Sequence, residues 1–164
     1  MKHLALCLLA LTTLTPAQSK TTQSKTIPPF TGTWTLDLHR STFEGKAHPP
    51  IAAEVVIRYD GTHWHRWRSH TAPDGKVDAH AVDLIVNSPK PLIVKDGPYT
   101  FYSRITRDGN ALVLHEDIVA NTGEKATNTV RYSLEDNGKT LVEFEQEITP
   151  DGNETNRWVS TRKK

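Results

Sequence analysis

His63-Trp64-His65-Arg66-Trp67-Arg68-Ser69-His70 places three imidazoles, two indoles and two guanidiniums within eight residues. On an extended chain, side chains alternate between two faces, so this stretch carries two different chemistries. One face holds Trp64, Arg66, Arg68 and His70, a cationic surface that can grip a carboxylate or phosphate by bidentate hydrogen bonds and stacking. The other holds His63, His65 and Trp67, and its i, i+2 histidines can reach one metal ion.

The turn before the stretch decides which face looks inward. A two-residue turn at Asp60-Gly61 pairs Tyr59 with Thr62 and Ile57 with Trp64, which puts the arginines beside the apolar Val55, Ile57 and Tyr59. A three-residue turn with Gly61 as a bulge shifts the register by one and brings His63, His65 and Trp67 inside. In that case His80 is the third metal ligand and Glu116 a fourth ligand or a general base. Metal-activated water would be the chemistry to expect.

The elements that carry these residues are strands. From Phe30 onward, runs of 7 to 11 residues alternate with Asp60-Gly61, Pro73-Asp74-Gly75, Asp108-Gly109, Asn121-Thr122-Gly123, Asn137-Gly138 and Asp151-Gly152. Such pairs are hairpin signals, because Gly and Asn accept the positive φ of tight turns. The spacing predicts strands at 30–38, 52–59, 62–71, 77–86, 98–107, 110–119, 124–134, 139–148 and 154–162, with a small extra piece at 92–95. No sustained 3.6-residue period interrupts them. Eight or nine sequential antiparallel strands are enough for a twisted sheet to close, so the fold class expected is all-β, an up-and-down barrel.

Alternation within the strands points Phe30, Gly32, Trp34, Leu36 and Leu38 to one face. A two-residue turn at Asp108-Gly109 pairs Ile105 with Leu112, Ser103 with Leu114, Phe101 with Glu116 and Tyr99 with Ile118. Ala126, Asn128, Val130, Tyr132 and Leu134 share a face, as do Val142, Phe144, Gln146 and Ile148. The interior is therefore expected to be apolar with polar interruptions at Glu116, Asn128, Gln146 and His80. A buried polar group needs a partner, because leaving it unsatisfied costs about 1–3 kcal/mol. The ligand-binding set this predicts is Trp64, Arg66, Arg68, His80, Tyr99, Glu116 and Asn128.

The chain has 164 residues, 36% hydrophobic and 24% charged, which suits one domain. Residues 1–17, MKHLALCLLALTTLTPA, have a basic start, a short apolar run and small residues fitting a cleavage site, so they read as a signal peptide of an exported protein, periplasmic or extracellular. The apolar run is shorter than the roughly 20 residues a membrane span needs. Cys7, the single cysteine, lies in that leader, so the mature chain is expected to have neither disulfide nor thiolate chemistry. Loss of Lys2 with the leader leaves 19 basic against 19 acidic residues, a balance that argues against nucleic acid as a partner. Residues 18–29, QSKTTQSKTIPP, read as a polar flexible linker, and the domain is expected over 30–164.

Gly32-Thr33-Trp34 opening the first strand, the hairpin meander after it and a late arginine, Arg157 or Arg162, resemble the lipocalin and wider calycin pattern. The segments FTGTWTLDLHRSTF, YSLEDNGKTLVEFE and NRWVSTRKK resemble small exported bacterial lipocalin-like proteins. The resemblance implies a cup for a small molecule, with Trp34 and the terminal arginine closing its base. The helix that lipocalins pack against the barrel has no counterpart in the sequence.

No nucleophile elbow, phosphate loop or His-Glu-x-x-His pair occurs, so no motif supports an enzyme and no cofactor is expected. Three functions follow. The first is small-molecule binding. The second is a metal-dependent enzyme on His63, His65 and His80. The third is a filled barrel acting through its outer surface as an envelope or interaction protein.

Overall fold

The structure, a computed structural model, describes residues 29–45 and 49–164. The expected leader with Cys7 and all but the last residue of the linker lie outside these residues. Eleven strands follow one another: β1 (Gly32–Leu36), β2 (Thr42–Glu44), β3 (Ala52–Tyr59), β4 (His63–Thr71), β5 (Val77–Ile85), β6 (Leu92–Asp96), β7 (Tyr99–Asp108), β8 (Ala111–Ala120), β9 (Lys125–Glu135), β10 (Thr140–Thr149) and β11 (Gly152–Arg162). A single 3-10 turn, Asp136–Gly138, is the only helical element among the described residues, and none of their helices is long and apolar enough to cross a membrane.

The count exceeds the expected eight or nine because of two short strands. β2 was not anticipated, and β6 is a full strand where only a small piece was expected. The sheet runs β5-β4-β3-β1-β11-β10-β9-β8-β7-β6, all antiparallel, with β2 on β11.

This barrel is nearly closed. The edge strands β5 and β6 do not pair, and β5 instead ends at an isolated parallel bridge from Val86 to Ile105 of β7. Asn87, at φ 61, turns the chain across that junction, a conformation asparagine tolerates better than most residues. Its backbone N–H donates to the Ile105 carbonyl at 2.8 Å and its Oδ1 accepts from the Arg107 N–H at 3.0 Å. Pro89 and Pro91 follow, removing two donors where β5 would otherwise meet β6.

The interior has two halves. Trp34, Ile57, Trp64, Leu84, Ile105, Leu114, Val130, Tyr132 and Leu141 pack with Phe30 into an apolar plug at the end where β5 meets β7. Arg162 caps that end: its guanidinium carbon lies 4.2 Å from the Trp34 ring centroid, and its nitrogens donate to the carbonyls of Thr31 and Pro29, both at 2.6 Å. The arginine of the Gly-x-Trp pattern is thus Arg162. Arg157 lies on β11 by Arg40 and Glu135. Gly32 is required here, because a Cβ would stand 2.4 Å from an Arg162 nitrogen.

Two registers differ from expectation. The β7–β8 turn is Gly109-Asn110 rather than Asp108-Gly109, so Ser103, and not Phe101, faces Glu116, and Ile105 faces Leu114. The shift is by two residues, so the faces are unchanged. In β10 the face itself is reversed. Leu141, Glu143 and Glu145 are buried, whereas Phe144 and Ile148 are 40% and 55% exposed and Gln146 is exposed with them. Gln146 is therefore not an interior polar group; the glutamates alternating with it are.

Candidate functional site

The turn between β3 and β4 settles the opening stretch. Asp60 accepts from the backbone N–H groups of Thr62 at 2.8 Å and His63 at 2.7 Å, making a longer turn in which Tyr59 faces Trp64, Ile57 faces Arg66 and Val55 faces Arg68. Neither expected turn is present, but the parity is that of the two-residue one. The arginines point in. These hydrogen bonds to the carboxylate, from His63 foremost, hold Asp60 down at about 2.

His63 and His65 consequently lie outside, where their Nδ1 atoms meet Asp60 at 3.1 Å and Asp83 at 2.6 Å. His80 is on the inner face. The three do not converge, and among the described residues no group of three histidine, cysteine or acidic side chains is placed to hold a metal ion. The metal set fails because its geometry needed the one-residue shift of β4.

Trp64 is fully buried in the plug, edge-on to Phe30 at 5.7 Å and beside Tyr132 at 5.0 Å, so it packs the core rather than lining a cavity. Beyond it the interior turns polar. Arg66 is 4% exposed and donates to the Tyr132 hydroxyl at 2.6 Å and to His80 Nε2 at 2.5 Å. An arginine can only donate, so His80 Nε2 accepts and the ring is neutral with its proton on Nδ1. Loss of hydration, then the nearby Arg66 and Arg68 charges, push His80 down to about 4. Burial similarly pushes the Tyr132 phenol up to about 12.

Arg68, one pleat along, is neutralised. It donates to Glu143, lies 3.9 Å from Glu145 and stacks 4.6 Å from the Trp158 ring. Glu145 in turn accepts from Trp158 Nε1 at 2.9 Å and Asn156 at 3.1 Å. No carboxylate makes an ion pair with Arg66 among the described residues. Its Nε is also without a partner.

Arg66, His80, Glu116 and Asn128 line one cavity of about 380 Å³ that opens in the gap between β5 and β6. Ser103 donates to one Glu116 oxygen at 2.8 Å and Asn128 to the other at 3.3 Å. Phe101, Val82 and Ile118 supply apolar wall. A second cavity of about 460 Å³, lined by Arg68, His70, Glu145 and Trp158, shares Asp78, His80 and Glu147 with the first. Tyr99 stands apart, 47% exposed on a groove at the rim. The structure therefore gathers four of the seven expected ligand residues, with Arg68 next door. The expectation missed Ser103, Asp78 and the inward glutamates. Among the described residues the barrel is not filled throughout, since two cavities remain beyond the plug end.

These features define a calycin-like β-barrel, open at the polar half of its interior. No protein-family profile matches the chain, and no curated protein matches it in sequence. Among solved structures it is similar to an abundant heat soluble (SAHS) protein from Ramazzottius varieornatus, with a TM-score of 0.56 and 14% identity over 85% of this chain and 98% of that one. Secretory abundant heat soluble protein 4 of the same organism gives 0.52 and 12% over 84% and 96%, and Rv2717c from M. tuberculosis 0.51 and 15% over 83% and 94%. At such identities the likeness is one of fold.

Proposed function

We propose that the protein is an exported small-molecule-binding barrel, periplasmic or extracellular, whose ligand presents a carboxylate or phosphate to Arg66. The observation that carries this reading is a buried guanidinium at the wall of a cavity, held among the described residues only by a phenol and a neutral imidazole. Buried charges are ordinarily matched. Arg68 has its match in Glu143 and Glu145, and an anionic ligand would supply one for Arg66. The leader-like residues 1–17 support export.

Isothermal titration of the mature protein with alkyl carboxylates and alkyl phosphates tests it, beside native mass spectrometry for a retained ligand. Arg66→Met should weaken binding roughly 10- to 100-fold, the value of one or two charge-assisted hydrogen bonds. Binding that is indifferent to Arg66→Met would overturn the assignment.

A further inference from the structure

The cavity that holds Arg66 is otherwise acidic. Asp78, Asp96 and Glu116 contribute to its lining, no lysine does among the described residues, and His80 is uncharged where it touches Arg66. A simple fatty anion would bring its charge into a field dominated by carboxylates, which opposes it. A cation alone would meet the Arg66 guanidinium. The arrangement suits a molecule carrying both signs.

Resting on the reading above, we infer that the ligand is amphoteric, an amino carboxylate or amino phosphate, with its anionic group at Arg66 and its ammonium group at Glu116 and Asp78. Glu116 is the inner anchor. Ser103 and Asn128 fix its carboxylate by one donor to each oxygen, and a carboxylate so held still has lone pairs for a ligand N–H. Asp78, on β5, faces the mouth beside His80. Asn128, which holds Glu116, and Tyr132, which holds Arg66, lie four residues apart on β9, roughly 13 Å at about 3.3 Å per strand residue. A short chain spans that.

The test is calorimetric titration with three compounds of equal chain length, an ω-amino carboxylate, the alkyl carboxylate and the alkylamine, repeated over several lengths. Wild-type protein should bind the amino carboxylate at least tenfold tighter than either single-ended compound. Glu116→Gln should erase that advantage and leave the alkyl carboxylate unchanged or tighter; Asp78→Asn, at the exposed mouth, serves the same purpose where Glu116→Gln lowers the urea midpoint. Arg66→Met should weaken both carboxylates. Equal binding of the two carboxylates, unaltered in Glu116→Gln and Asp78→Asn but weakened in Arg66→Met, overturns the amphoteric ligand and leaves the anion site standing. An alkylamine that matches the amino carboxylate and ignores Arg66→Met overturns both.

Discussion

Glu143 of β10 accepts a hydrogen bond from Arg68 of β4 across the barrel, with the two side chains 1% and 6% exposed. Burial works against the charge on Arg68, but Glu143 and then Glu145 outweigh it and hold the guanidinium firmly protonated. Arg68 of this pair lines the second cavity, which shares Asp78, His80 and Glu147 with the first.

Removing one partner strands the other. Glu143→Ala should cost about 3–5 kcal/mol, the usual penalty for an uncompensated buried charge. Arg68→Met combined with Glu143→Leu should cost less than Glu143→Ala alone, because Glu145 keeps its donors from Trp158 and Asn156. Urea denaturation of the three proteins checks this, and a double variant less stable than the single would show that the pair is not the source of the loss.

The fold was legible because hairpin signals such as Asn121-Thr122-Gly123 sit between runs whose period is two. The face of β7 was legible too, since a register slip of two residues leaves alternation intact, whereas that of β4 hung on a turn whose two readings differ by one residue. β10 was not. In Leu141-Val142-Glu143-Phe144-Glu145-Gln146, alternation is clear but Phe144 of its apolar set is exposed while Glu143 and Glu145 are buried, because the inward glutamates answer to Arg68, 75 positions from Glu143. No local pattern carries that pairing. The cue available was the cationic stripe on β4, which required acids on some facing strand.

At the closed end, Arg162 donates to three carbonyls, those of Thr31, Pro29 and Gly138, while covering the Trp34 ring. Arg162→Ala should cost about 2 kcal/mol, and Arg162→Lys most of that, because an ammonium neither stacks flat nor reaches several carbonyls at once. Gly32→Ala displaces the same guanidinium, so Gly32→Ala with Arg162→Ala should lose little more than either alone. Additive losses in urea midpoints would separate the two residues.

Asp60 fixes the register that turns the arginines inward. Its carboxyl sits at about 2 against an ordinary 3.8, so its contribution is complete above pH 3.8 and disappears as pH falls through 2. Asp60→Asn keeps an acceptor for the two N–H groups and should flatten this acid limb, whereas Asp60→Ala should lower the urea midpoint at every pH. An unchanged acid limb in Asp60→Asn would place the acid sensitivity elsewhere.

His80 sets a second pH dependence with the same sign. Its folded value near 4 lies below the ordinary 6.5, so between these limits the unfolded chain binds more protons. Stability is therefore full above about pH 6.5, declines as pH falls towards 4, and is level with respect to this group below that. The groups facing it are Arg66, Arg68 and His70 of β4, Asp78 of its own strand, and Glu116 and Glu147 across the cavity. His80→Gln, which can still accept from Arg66, should remove the slope between pH 6.5 and 4 in urea midpoints. An anion seated on Arg66 offsets the charge that disfavours protonation, so bound ligand should raise the His80 value and shrink the slope in the wild type. NMR titration of the ring reads this directly. A His80 imidazole that titrates near 6.5 without ligand would mean that its nitrogen does not accept from Arg66 in solution, and Arg66 would then have Tyr132 as its sole partner.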